Sequence, residues 1–170
     1  MNKKAMILGL MLAASQVSAE VTNTTGSTGE FDTKKIYFGG GLGLNDVPNR
    51  DGATGFQLFL GMPLPIKTDT VKIAVEAGYM DSGSFDKDGT FFDPATSHKA
   101  NGLWGTVLAS LPMKDNIDLI GRIGLDIGDD DGVMIGAGVG FEMSNDIDLR
   151  IEYVMRDTID SFQLNLVVRQ

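Results

Sequence analysis

Apolar and polar residues alternate along most of this chain, one short segment after another. Between 116 and 127, isoleucine, leucine and glycine hold the odd positions, whereas Asp118, Arg122 and Asp126 hold even ones. The same alternation, again with charges of both signs, returns between 146 and 156. A period of two with one ionic face is typical of a strand that has lipid on one side and a polar lumen on the other.

Eight such segments, separated by turn-forming residues, can be read along the chain. They cover 35–45, 55–62, 71–80, 101–111, 116–127, 132–143, 146–156 and 161–170. The fourth is the least regular, because its apolar row faces outward only if Trp104 and Leu108 face inward. The stretch 81–100 interrupts the pattern and predicts a long loop. An even number of strands, each about ten residues long, predicts an all-β, eight-stranded antiparallel up-and-down transmembrane β-barrel over residues 35–170.

The first residues predict export from the cytoplasm. Lys3 and Lys4 precede an apolar run that ends in the small residues around Ala19, which is the pattern of a cleavable signal peptide over residues 1–19. Residues 20–34, rich in threonine, glycine and serine, predict a flexible lead-in. The chain has no cysteine, so disulfides and thiolate metal sites are not expected.

The acidic composition of the chain makes one class of partner, nucleic acid, unexpected. The net charge is −9, and removal of the two signal lysines would make it more negative, so nucleic acid is not expected as a partner. The 22 glycines and the lack of helical periodicity agree with an all-β chain.

Outward aromatic residues lie near the ends of the predicted strands. Those near the outer ends are Phe56, Tyr79, Tyr153 and Phe162, and those near the inner ends are Phe38 and Phe141. Two such girdles are expected where rings settle at both lipid–water interfaces. A soluble periplasmic barrel is the alternative, but it gives no reason to sort rings by depth.

The export signal, the eight amphipathic strands and the glycine pattern of Tyr37–Gly43 together resemble the small outer-membrane β-barrel proteins of Gram-negative bacteria, the OmpA-like or porin-type β-barrel family. The resemblance implies location in the cell outer membrane, contact with outer-membrane lipid and lipopolysaccharide, and insertion by the barrel assembly machinery. One departure concerns insertion, since chains of this family commonly end on an aromatic residue and this one ends on Gln170.

Inward positions carry nearly balanced charge, which predicts a lumen plugged by paired side chains. The acids are Glu76, Asp118, Asp126, Glu142, Asp148 and Glu152, and the bases are Lys72, Arg122, Arg150, Arg156 and Arg169. Eight strands enclose little free room, and unpaired buried charge is costly. The alternative is a narrow ion path lined by the same charges.

The predicted long loop carries Phe85, Phe91 and Phe92 among acidic residues. These rings form either a contact patch for a surface ligand or a lid folded over the barrel mouth. The same stretch holds His98, the one histidine, beside Ser97, and adjacent residues on an extended chain point apart, which disfavours a nucleophile–base pair.

We therefore expect a structural or surface-interaction role in adhesion or envelope integrity, with no enzyme activity, cofactor or metal. A narrow porin for ions or small solutes is the alternative, and a lipid-modifying outer-membrane enzyme is a more distant one. The acidic tip Asp129–Asp131 is either a solvated loop or a weak divalent-cation site.

Overall fold

The computed structural model describes residues 35–48, 51–66, 70–87, 96–114 and 116–170, with the backbone alone described at 86–87 and 96–98. The predicted signal peptide and lead-in lie outside the described residues. The strands are β1 (Tyr37–Asp46), β2 (Ala53–Pro63), β3 (Lys72–Lys87), β4 (Thr96–Lys114), β5 (Ile117–Gly128), β6 (Gly132–Ser144), β7 (Ile147–Met155) and β8 (Asp160–Arg169).

Each strand pairs antiparallel with the next, and β8 pairs with β1, so the sheet closes on itself. The closing register runs from Tyr37 opposite Arg169 to Asp46 opposite Asp160. A closed ladder leaves no edge, which is what a sheet surrounded by lipid requires. The predicted all-β barrel of eight antiparallel strands is confirmed. Among the described residues, no helix is both long enough and apolar enough to cross a membrane.

The two ends of the barrel differ in what they carry. The end at which β1 begins and β8 finishes, with the connections β2–β3, β4–β5 and β6–β7, is called the terminal end here. The opposite end, with the connections β1–β2, β3–β4, β5–β6 and β7–β8, is called the loop end.

Side chains alternate between the outside and the lumen as the sequence indicates. Leu58, Leu103 and Ile123 are exposed on the outer face, whereas Trp104 and Leu108 are buried in the lumen. The facing of the fourth strand is thereby settled. Its apolar inward residues, which blur the pattern in the sequence, pack inside the barrel.

The expectation of a long loop at 81–100 is wrong for most of that stretch. β3 continues to Lys87 and β4 begins at Thr96, and their pairing extends from Ser84 opposite Lys99 outward. Residues 84–87 and 96–99 pair only with each other, so they project as a hairpin beyond the neighbouring strands.

An ion pair lies at the base of this hairpin. Lys99 Nζ lies 2.8 Å from Asp81 Oδ2, and this contact raises the pKa of Lys99.

A β-bulge explains why the sequence pattern fails here. The register shifts by one residue between Asp81 and Ser84, so even positions face inward before it and Phe85 faces inward after it. Gly83 sits in the bulge at φ 75°, and its amide donates to Asp81 Oδ1 at 3.0 Å. The interruption is therefore a change of phase within one strand.

Replacing Gly83 by alanine should destabilise the barrel by about 1–3 kcal/mol, because the backbone is left-handed there. The new Cβ would also lie 2.3 Å from the carbonyl oxygen of Thr54. The measurement is urea unfolding of the refolded protein in detergent micelles. Gly121→Ala is the matched control, since a Cβ at Gly121 meets nothing within 4 Å, and its stability should be unchanged. Equal stability of the two variants would contradict the prediction.

Candidate functional site

Glu76 on β3 receives side chains from three other strands inside the lumen. The Tyr37 hydroxyl on β1 donates to Glu76 Oε1 at 2.7 Å, and Arg150 Nη1 on β7 donates to the same oxygen at 2.5 Å. Arg122 Nη2 on β5 lies 3.3 Å from the other oxygen, Oε2. All four side chains are more than nine-tenths buried. One carboxylate thus joins β1, β3, β5 and β7 across the barrel.

A second carboxylate completes the charge balance. Arg122 Nη2 lies 2.8 Å from Glu152 Oε1 and 2.6 Å from Oε2. Two acids, Glu76 and Glu152, therefore oppose two bases, Arg122 and Arg150, and the four-residue set, called the central network here, is neutral. Buried ion pairs are tolerated when each charge is matched and hydrogen-bonded in this way.

Uncharged amides extend the central network to the remaining side of the lumen. Asn165 on β8 donates to Glu152 Oε1 at 3.1 Å. Gln57 on β2 donates to Asn165 Oδ1 at 2.7 Å and to Gln163 Oε1 at 2.9 Å. Polar contacts therefore reach from β2 and β8 to β3, β5 and β7, across the width of the barrel.

Two glycines on β6 make room for these long side chains. A Cβ at Gly136 would lie 2.9 Å from Arg122 Cγ, and one at Gly138 would lie 2.7 Å from Glu152 Cγ. Because β6 stands between β5 and β7, Arg122 and Glu152 meet in front of its bare face. The sequence indicates this use of inward glycines, and the structure shows which side chains occupy the space.

Aromatic rings hold both arginines of the central network from the side. The Arg122 guanidinium lies 5.6 Å from the centre of the Trp104 ring, and that of Arg150 lies 5.3 Å from the centre of the Tyr37 ring. Contacts of this kind stabilise a cation by about 0.5–2 kcal/mol. Trp104 in turn packs against Phe59, with ring centres 5.7 Å apart.

A separate ion pair lies toward the loop end. Arg156 Nε is 3.1 Å from Asp126 Oδ2, and Arg156 Nη1 donates to Ser161 Oγ at 3.0 Å. Ser161 Oγ donates to Asn45 Oδ1 at 2.5 Å, and Asn45 Nδ2 donates to the carbonyl of Ser82 at 2.8 Å. This series of contacts joins β1, β3, β5 and β8 with the β7–β8 connection, which carries Arg156.

The terminal end is more open than the sequence suggests. Arg169 pairs with the buried Asp148, but Lys72, which lies 3.5 Å from Asp118, exposes 63% of its side chain. Glu142 is also exposed. The placement of Lys72 and Glu142 within a buried network is therefore wrong: both stand at the barrel mouth, where β3 begins and β6 ends, and water solvates them there.

An apolar cluster lies at the loop end. Phe85 is fully buried there and belongs to the buried apolar cluster that runs through the lumen, whose members at the loop end include Val47, Ala100 and Ile159 from the β1–β2 connection, β4 and the β7–β8 connection. As an exposed contact residue Phe85 is therefore a wrong prediction, and the lid is the arrangement that the structure shows for it. Phe91 and Phe92 lie outside the described residues.

Free space in the lumen is uneven. A chamber of about 500 Å³ opens at the terminal end and is lined at its inner side by Tyr37 and Arg150. Two cavities toward the loop end measure about 10 Å³ each, which is room for about one water molecule. The central network separates the chamber from these small cavities.

The acidic tip of the β5–β6 connection is used for hydrogen bonds within the loops. Asp129 Oδ2 accepts from the backbone and side-chain nitrogens of Asn101, both at 3.1 Å. Asp130 Oδ1 accepts from the Thr158 amide at 3.1 Å, and Asp131 Oδ1 from the Gly128 amide at 2.5 Å. Among the residues with described side chains, no group of three or more potential ligands could hold a metal ion.

The predicted girdle residues lie on the outer face of the barrel. Phe38, Phe56, Tyr79, Tyr153 and Phe162 are exposed, and Phe141 is half-buried. Phe56 and Tyr79 are neighbours, with ring centres 6.4 Å apart, and Tyr153 lies opposite Phe162. Their role as membrane girdles stays a prediction.

Sequence reasoning overlooked the uncharged members of the site. Asn45, Gln57, Ser161, Gln163 and Asn165 are buried and hydrogen-bonded inside the lumen. Their positions in the two-residue period mark them as inward. Their partners could not be read from the sequence, because each contact joins strands whose relative heights depend on the barrel register.

Comparisons with known proteins agree with this architecture. The sequence matches the family model described as outer membrane protein beta-barrel domain over residues 5–169. A search of curated protein sequences found no match. Among solved structures, the outer membrane protein Ail of Yersinia pestis in a phospholipid bilayer nanodisc is similar, with a TM-score of 0.55 at 12% identity, over 80% of this chain and 99% of that one. A de novo designed transmembrane β-barrel has a TM-score of 0.53 at 13% identity, over 83% of this chain and 99% of that one. At these identities the likeness is one of fold.

Replacing Glu76 by glutamine should destabilise the barrel by about 3–5 kcal/mol, because Arg150 loses its carboxylate partner in a buried site. Glu142→Gln, on the exposed rim, is the matched control and should change stability by less than about 0.5 kcal/mol. Urea unfolding in micelles measures both. The prediction fails if the two substitutions have equal effects.

Proposed function

Because this chain belongs to the outer membrane protein beta-barrel domain family, we propose that it is a non-conducting barrel with a structural and surface-interaction role in the outer membrane. The observation that carries the proposal is the central network. A lumen of eight strands is just wide enough for its own side chains. Here Glu76, Arg122, Arg150 and Glu152 fill it with matched charge, so a permeating ion would have to break buried pairs.

The loop end supports the same proposal independently. The apolar lid of Val47, Phe85, Ala100 and Ile159 offers no ligand to replace the hydration shell of an ion. A solute that entered from the terminal end would meet the central network first and the lid second. Two closures of different chemistry favour a plugged barrel over the porin alternative.

The surface-interaction part of the proposal rests on the projecting hairpin of β3 and β4. Four residue pairs, from Ser84–Lys99 to Lys87–Thr96, continue beyond the pairing of β3 with β2 and of β4 with β5. At about 3.3 Å per residue this paired segment is roughly 13 Å long. Phe85 packs into the lid, and the rest of this segment, which pairs with neither neighbouring strand, is the part that we propose contacts another surface.

The proposal includes the partners that the sequence indicates. Outward leucine, isoleucine and valine side chains face outer-membrane lipid, and we propose lipopolysaccharide as the lipid at the loop end. Insertion by the barrel assembly machinery is supported by β8, whose outward row is Phe162, Leu164, Leu166 and Val168. We propose that the protein is not an enzyme. Ser97 and His98 are consecutive residues of a strand, and consecutive strand positions face opposite sides, which disfavours a nucleophile–base pair.

Planar-bilayer recordings test the closed lumen. The wild-type protein should show no steady unitary conductance, and the double variant Arg122→Ala/Phe85→Ala should conduct ions, because it opens both the central network and the lid. Lys72→Ala, at the mouth, is the control and should stay closed. If the wild type shows unitary conductance steps, and the size of these steps changes in Arg122→Ala, the proposal of a closed lumen is contradicted and the porin alternative is favoured.

Shortening the hairpin tests the surface role. Replacing residues 83–99 by Asn-Gly joins Ser82 to Ala100 through a tight turn and leaves the barrel pairing from Asp81–Asn101 downward in place. Attachment of cells to a host-cell layer should fall severalfold, while detergent sensitivity of the envelope stays unchanged. Unchanged attachment, with the variant present in the outer membrane and showing different gel mobility when boiled and unboiled, would contradict the role.

A further inference from the structure

The chamber at the terminal end has the size and shape of a small-molecule site. Its volume of about 500 Å³ lies within the range of ligand pockets, roughly 300–1,000 Å³. It opens at the end of the barrel that carries the termini and is blind at Tyr37 and Arg150, which belong to or contact the central network. A molecule that enters it would be held rather than passed on.

One wall of the chamber is apolar. Ala74, Leu108 and Ile120 on β3, β4 and β5 line it and point inward. Because they lie on adjacent strands, these three residues form a continuous apolar surface in the chamber. Such a surface fits the aliphatic part of a ligand.

The chamber also carries a buried carboxylate with an unpartnered oxygen atom. Asp148 lines the chamber and is more than nine-tenths buried, and its Oδ1 atom has no hydrogen-bond partner among the described residues. Glu142 lies directly opposite Asp148 in the pairing of β6 with β7. Like charges in opposed positions destabilise a sheet. Arg169 pairs with the other oxygen of Asp148, Oδ2, so an ammonium group beside Oδ1 would satisfy that atom and lie next to Glu142.

Cations stand at the same opening. Lys72 exposes 63% of its side chain and Arg169 exposes 39%. The contact of Lys72 with Asp118 is 3.5 Å long, and exposed pairs of this kind contribute little stability. Lys72 is therefore available to a carboxylate that arrives at the mouth, while the ammonium of the same molecule lies deeper; Arg169 is already paired with Asp148.

We infer that the terminal chamber binds a small zwitterion with an aliphatic body, of the amino-acid or short-peptide class. Its ammonium lies against Asp148 and Glu142, its carboxylate faces Lys72, and its aliphatic part contacts the wall that includes Leu108. The inference goes beyond the proposed function, because a ligand held in a blind chamber requires no conduction and no surface partner.

Titration calorimetry on the full mature chain in detergent micelles tests the inference, with leucyl-leucine as the probe. The wild type should bind it, and Asp148→Asn should weaken binding by about tenfold, or roughly 1.4 kcal/mol. Asp146→Asn, in the exposed turn between β6 and β7, is the matched control and should bind like the wild type. N-acetyl-leucyl-leucine amide, which lacks both charges, should bind about tenfold more weakly than leucyl-leucine.

A second variant keeps the test decisive if Asp148→Asn does not fold. Lys72→Gln changes an exposed side chain and should weaken binding severalfold, with Lys114→Gln as its exposed control. Gel mobility of unboiled samples reports folding in each case. No binding by the wild type at about 10 mM, equal binding by Lys72→Gln, or equal binding of the capped peptide would overturn the inference.

Discussion

The shared charge of Glu76 is the interaction on which the lumen depends. Its carboxylate accepts hydrogen bonds from Arg150 and Tyr37 and lies beside Arg122, which also pairs with Glu152. These groups come from β1, β3, β5 and β7, so they meet only when the strands are at their native heights. A shift of one residue in any strand would turn its charges toward lipid. The central network and the barrel register therefore specify each other.

The two ends of the barrel differ in how far side chains close the lumen. At the loop end, the bulge at Gly83 changes the phase of β3 and brings Phe85 into an apolar lid with Ile159. At the terminal end, the lumen widens into a chamber bordered by Lys72 and Glu142. The same two-residue alternation thus gives one closed end and one open end, according to which side chains are turned inward.

This asymmetry divides the outer-membrane barrel into three parts along its axis. The outer face meets lipid all round, and the central network separates the chamber from the loop end. The two ends of the barrel carry different features. The loop end has a hairpin that projects past its neighbours, and the terminal end has a chamber whose apolar wall faces charged groups. The two ends therefore differ in chemistry, while the middle of the barrel is filled by the central network.

The sequence by itself determined the fold class and the inward or outward facing of most strands, because a period of two is a local property that survives without any knowledge of neighbours. It also identified the members of the central network, since charged residues on an otherwise apolar strand must face the lumen. Tertiary structure decided which charges meet, because a pair such as Arg122 and Glu152 is set by the register of three strands. It also decided whether Phe85 and Glu142 are buried or exposed. The extra residue at the bulge in β3 turns Phe85 inward and buries it, whereas Glu142 is exposed because it lies near the end of β6.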